Sequence, residues 1–266
     1  DSDGFTLKIG GGGTSEWYDN LHDDKIVGWS WKGGGTASSN TDGSITSSVS
    51  ANTTAGFSIV SYTGNATDGA TVGHGLSQQP ELLIVKNLEE DWSWRVRVPQ
   101  CDNDSKTLTL NLNLGIITLG GGTQAWDLSA NTASVFGLGD YGDVNNNADA
   151  NIAYCFHSVD GYSKVGSYDG NGSSDGVFIY TGFRPAWFMC KRTDSTNQWT
   201  MADSIRSPYN VADDILYANL SDAETTSDAI YFDFVSNGIK LRSGTAGNVN
   251  TSGSSYIYLA FAESPF

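Results

Sequence analysis

A block of the chain occurs twice. Gly56-Phe57-Ser58 recurs as Gly161-Tyr162-Ser163, Pro80 as Pro185, Lys86 as Lys191, Trp94 as Trp199, Val144-Asn145 as Val249-Asn250 and Ile152 as Ile257, and subtraction gives 105 for every pair. A fixed internal period identifies the building block before any strand is assigned, and 105 residues is the size of one small domain. Tyr62-Thr63-Gly64-Asn65 against Tyr168-Asp169-Gly170-Asn171 slips by one position, which a single loop insertion explains.

A closing strand is expected three times: Val27, Trp29 and Trp31; Ile152, Tyr154 and Phe156; Ile257, Leu259 and Phe261. Spacing by two places each trio on one face of a strand, read here as the core face. Asp3 to Leu7 parallels Asn237 to Leu241, so residues 1–34 read as the closing hairpin of a truncated repeat and the chain as a fragment of a longer polypeptide. Residues 35–55, rich in Gly, Ser and Thr, read as a linker; 56–158 and 161–266 read as two β-sandwich repeats that abut. Leu82 to Val85 and Ala186 to Cys190 are continuous apolar runs, expected to be buried on both faces. Leu108, Leu110, Leu112 and Leu114 alternate as in a half-buried strand. Helical potential is confined to Pro208–Leu216 and Ser221–Thr225. The expected fold class is all-β, with tandem antiparallel sandwiches.

The net charge of −16 repels phosphate backbones and anionic headgroups, which argues against nucleic acid and membrane insertion and for a neutral glycan or a protein partner.

Duplication supplies an internal control: a residue the fold needs has a like counterpart, whereas a functional one need not. Cys155 aligns with Ala260 and Cys190 with Val85, so these read as structural thiols, and Cys101, aligned with Arg206, has no evident partner. His22, His74 and His157 lack ligand or triad spacing; His74, between glycines and opposite Thr181, is the candidate among them. Glu89-Glu90-Asp91 reads as a solvated turn rather than a glycosidase acid pair. Two loops alternate oxygen donors as a calcium loop does: Asp143, Asn145, Asn147 and Asp149, then Asp169, Asn171 and Asp175; calcium is the candidate ion, and no other cofactor is indicated. Trp94, Trp126 and Trp187 have bulky or matched counterparts and read as core. Trp92 aligns with Asn197, Tyr141 with Ala246 and Tyr209 with Asp104, while Trp17 and Tyr18 lie in a polar loop. Aromatics that break a repeat are candidates for stacking on sugar faces, so Trp92, Tyr141 and Tyr209, with Asp143 and Asn145, form the candidate glycan site.

Ser58 to Asn65, Val72 to Leu76 with Pro80, Tyr180 to Pro185, Lys191 to Asp194 and Tyr256 to Phe261 resemble a repeat domain of large virion proteins of marine tailed phages, including cyanophages. The order of Gly-Leu, Pro, apolar strand and closing aromatic strand is faintly similar to H-type lectin sandwiches. The first resemblance implies an extracellular virion appendage, such as a tail fibre, that forms a homo-oligomer, contacts other virion proteins and has no catalytic residues to transfer. Binding of a bacterial surface glycan or receptor is the leading expectation. A purely structural virion decoration is the alternative, and a polysaccharide-degrading enzyme the second alternative.

Overall fold

The computed structural model describes residues 27–226, 229–244 and 246–263. Two compact units divide the chain, residues 1–32 and 33–266. Of the first, residues 27–32 are described and contain no strand, so Val27, Trp29 and Trp31 do not form the expected closing strand; Trp17, Tyr18, His22 and the 3–7 segment lie outside the described residues.

The second unit is almost entirely β. Its first half contains β1 (Ser38–Asn40), β2 (Ser47–Asn52), β3 (Phe57–Thr63), β4 (Ala70–Gly73), β5 (Leu82–Asn87), β6 (Arg95–Arg97), β7 (Lys106–Thr109), β8 (Ile117–Thr118), β9 (Val135–Leu138), a one-turn α1 (Gly142–Asn145) and β10 (Ala150–Phe156). The second half contains β11 (Ser163–Asp169), β12 (Phe178–Tyr180), β13 (Trp187–Arg192), β14 (Thr200–Asp203), β15 (Leu216–Tyr217), β16 (Phe232–Val235), β17 (Gly238–Leu241) and β18 (Ser255–Phe261). One sheet runs β1-β2-β3-β10-β5-β6-β7-β8 and is faced by the β4-β9 pair; another runs β11-β18-β13-β14-β15 and is faced by β12-β17-β16. All strand pairs in these sheets are antiparallel.

The order β3-β10-β5-β6-β7 therefore corresponds strand for strand to β11-β18-β13-β14-β15. Registers agree as well: Tyr154 lies between Ile59 and Ile84, and Leu259 between Val165 and Met189. Each half has its own core. Val60, Leu83, Val85, Ala153 and Cys155 meet Val72, Trp126, Phe136 and Leu138 in one; Phe188, Cys190, Tyr256, Tyr258 and Ala260 meet Ile179, Phe232, Ile239 and Leu241 in the other.

Several expectations are corrected. The segment 35–55 is not a linker, because β1 and β2 extend the first sheet; Ile45, Ser47 and Val49 alternate inward, and the small polar residues between them face solvent. The closing strands turn their other face to the cores: Ala153 and Cys155 point in, while Ile152 and Tyr154 are half-buried on the outer face. In the second half the inward set is Tyr256, Tyr258 and Ala260. Ile257, 1% exposed, is far more buried than its counterpart Ile152. Strand β7 ends at Thr109, so Leu110, Leu112 and Leu114 lie on a loop instead of a strand, and neither stretch of helical potential forms a helix. Trp94 is half-buried and stacks on Tyr154, with ring centroids 6.4 Å apart, whereas Trp199 is fully buried.

The contact between halves explains that last asymmetry. The loop after β7 runs against β13 and β14: Trp199 Nε1 donates to Thr109 O (2.9 Å), Ile116 N to Thr193 O (2.7 Å) and Asn197 N to Asn113 O (2.7 Å). Gly115 is required there, since a Cβ would stand 2.7 Å from Thr193 O. Phe261 meets Phe156, Tyr162 and Trp187 at centroid distances of 6.0, 5.6 and 5.9 Å, an aromatic seam between the halves.

Candidate functional site

Two asparagines, one in each half, tie the fold together. Asn145 is fully buried; its Oδ1 accepts from Asn65 N (2.9 Å), and its Nδ2 donates to Thr67 O (3.0 Å) and Gly139 O (2.8 Å). Asn250 repeats this, with Oδ1 accepting from Asn171 N (3.0 Å) and Nδ2 donating to Ser173 O (2.9 Å) and Ser243 O (2.7 Å). Tyr62 OH donates to Val144 O (2.6 Å), and Tyr168 OH to Val249 O (2.9 Å). Each amide staples the loop after the first strand of its half to the turn before the last. Asn145 is therefore a structural staple, with no polar atom left for a sugar or a calcium ion.

The remaining candidate calcium ligands are dispersed in the same way. Asp143 is paired with Arg95; Asp149 Oδ2 accepts from Asn87 (2.9 Å) and Asn146 (2.8 Å), which hold its pKa below the usual carboxylate value; Asn147 is exposed. Asp169 accepts from Ser255 (2.7 Å), Asn171 caps its own turn through Ser173 N (3.0 Å), and Asp175 pairs with Lys240 (2.7 Å), which lowers its pKa. Among the described residues no group of three or more His, Cys, Asp and Glu side chains is placed to hold a metal. Glu89, Glu90 and Asp91 form an exposed turn whose first two N–H groups bond Asn87 Oδ1. The three cysteines are buried free thiols.

What the fold does bring together is Trp92, Arg95, Tyr141 and Asp143. Arg95 projects from β6 toward α1, where its Nε donates to Asp143 Oδ2 (2.7 Å), its Nη2 to Tyr141 OH (2.8 Å) and its Nη1 to Thr109 Oγ1 (3.2 Å). The guanidinium carbon stands 5.0 Å from the Tyr141 ring centroid. Burial raises the Tyr141 pKa, opposed by Arg95, so the phenol stays neutral, while the hydrogen bond from Arg95 and its guanidinium against the ring hold the side chain in place. Trp92 lies against Gly142, where a Cβ would come within 3.0 Å of the indole. Both aromatics remain half-buried, each with one side packed and fixed.

This cluster exists in one half alone. The corresponding residues are Asn197, Thr200, Ala246 and Asn248, and there Asn248 bonds Gln198 N (3.3 Å) and Tyr217 OH (3.4 Å) in a neutral network. Sequence comparison found three of the four. It missed Arg95, although an Arg-Val-Arg strand opposite Thr200-Met201-Ala202 was the available signal. Tyr209 stands apart on the segment after β14 and is 84% exposed.

The architecture and cluster define an all-β protein with several antiparallel sheets and, on one half, two half-buried aromatics, Trp92 and Tyr141, beside the buried Arg95–Asp143 ion pair. The chain belongs to the family described as a domain of unknown function, DUF7483, which it matches over residues 1–265. No curated protein and no solved structure matches it.

Proposed function

We propose that the strands from β3 to β10 and from β11 to β18 are two copies of one antiparallel sandwich, and that the chain is an extracellular phage virion appendage, such as a tail-fibre segment, which binds a neutral bacterial surface glycan through the first copy. The observation that carries the binding reading is that the substitutions separating the two copies around α1 converge: the buried Arg95 and Asp143 hold the half-buried ring of Tyr141, and Trp92, also half-buried, packs on Gly142 beside it. A fixed aromatic face beside a satisfied ion pair stacks on a sugar ring and rejects anionic sugars poorly matched to a net charge of −16. The reading involves no cofactor and no catalysis. The virion setting rests on the motif resemblance, and with it the partners are further copies of the chain and other virion proteins. Many copies turn weak single-site stacking into firm adhesion.

The test is retention of the intact oligomer on a glycan array and on host cells. Trp92→Ala is expected to weaken binding about tenfold, the loss of one ring stack worth roughly 1.4 kcal/mol, while Tyr209→Ala leaves it unchanged. Absence of any retention by the wild type would instead favour a purely structural virion decoration, a reading supported by the seating of one half's sheet on the other half's loop.

A further inference from the structure

Strand β6 turns two arginines inward, and only one of them meets an acid. Arg95, Arg192, Arg206 and Arg242 each hold a carboxylate within 2.7 Å. Arg97, 6% exposed and so as buried as Arg95, holds none among the described residues. Its Nη2 donates to Pro80 O (2.8 Å), and its Nε is buried with no partner. A guanidinium cannot escape by losing its proton at ordinary pH, and an uncompensated buried charge is among the costliest arrangements a fold can contain.

The neighbours do not supply the missing negative charge. Register places Arg97 in one inward-facing row with Leu83, Cys155 and Ser58. Burial pushes the thiols of Cys155 and Cys101 up to about 12 and about 11, so both are neutral. His74, fully buried and approached from the opposite layer, is lowered to about 4 by burial and is also neutral. Ser58 Oγ and His157 Nε2 are buried without partners as well. In the second half Ala202, Thr181, Ala260 and Ala262 stand where Arg97, His74, Cys155 and His157 stand in the first, so the whole set is specific to one half.

We propose that a small monovalent inorganic anion of the chloride class binds against Arg97 inside the first half and is its counter-charge. One fixed positive charge calls for one negative charge. A halide tolerates a shell of scattered N–H, O–H and S–H donors, whereas a divalent oxyanion would need several strong donors to leave water.

The experiment is chemical denaturation in chloride against gluconate at constant ionic strength, together with ³⁵Cl line broadening on the folded chain. At chloride ten times its dissociation constant the unfolding equilibrium constant is expected to fall about elevenfold, saturably. Arg97→Met removes this dependence, and in gluconate it is at least as stable as the wild type because no bare charge remains. Equal wild-type midpoints in the two salts, with no excess broadening, would overturn the proposal and leave water as the partner of Arg97. Should Arg97→Met fail to fold in gluconate, the wild-type broadening and its displacement by bromide decide the matter.

Discussion

Replacing Asn145 by alanine removes three hydrogen bonds in which the side chain satisfies Asn65 N, Thr67 O and Gly139 O. Each bond contributes about 1 kcal/mol net, and backbone groups left buried without a partner add to the loss, so Asn145→Ala should cost about 3–5 kcal/mol. For a unit of this size that is a fall in melting temperature of roughly 6–20 °C. Asn250→Ala should cost a similar amount, since the bonds of Asn250 to Asn171, Ser173 and Ser243 match one for one. Asn145→Asp separates shape from chemistry: it keeps the volume but turns a carboxylate toward two carbonyl oxygens. The introduced carboxyl then has a pKa raised above its unfolded value, so its deficit should shrink as pH falls through that raised pKa. Guanidinium denaturation followed by tryptophan fluorescence measures all three. A loss below about 1 kcal/mol for either alanine variant, or a large loss for one and none for the other, would refute the staple reading.

Two further outcomes are expected. His74 has a folded pKa of about 4, lowered by burial, with the hydrogen bond to the Thr132 carbonyl opposing it, Arg97 and His157 lowering it further and Asp42 raising it least. The unfolded chain therefore binds the extra proton between about 4 and 6.5, stability falls as pH drops through that window, and His74→Gln should remove on the order of 3 kcal/mol of the acid sensitivity in pH-dependent denaturation. Cys101, Cys155 and Cys190, held by burial at about 11, 12 and 12, should not react with a thiol reagent at pH 8 in the native state and should all react once the chain is unfolded; rapid native labelling would contradict their burial.

The strand runs and much of the 105-residue correspondence were legible because apolar runs and turn glycines recur: Gly56 and Gly161 both adopt positive φ, 64° and 78°, at the entry to corresponding strands, although β11 is displaced by one further residue, with Ser163 standing opposite Phe261 as Phe57 stands opposite Phe156. The face of the closing strand was not legible. Alternation of two apolar sets, Ile257-Leu259-Phe261 and Tyr256-Tyr258-Ala260, marks a strand covered on both sides, and periodicity alone does not rank the two covers. Strands β1 and β2 were hidden because serine and asparagine carry no hydrophobic signal even where Ser47 is buried and bonds Gly73 O (2.8 Å). In the site, repeat-breaking aromatics were visible from sequence, but the commitment of Asn145 to three backbone groups was not, because those partners lie 6 to 80 positions away.

The sheet of the second half has a consequence for biosynthesis. Trp187, Met189, Ile257, Leu259 and Phe261 are buried yet lie outside the second core, on the face that meets the first half. A ribosome delivers residues 33–156 before any of them, so the loop from Thr109 to Ile116 and the Phe156 ring are in place to receive that face as it emerges. Translation thus runs from template to client. A first half that folds as it emerges is a ready-made surface for the apolar face of the second.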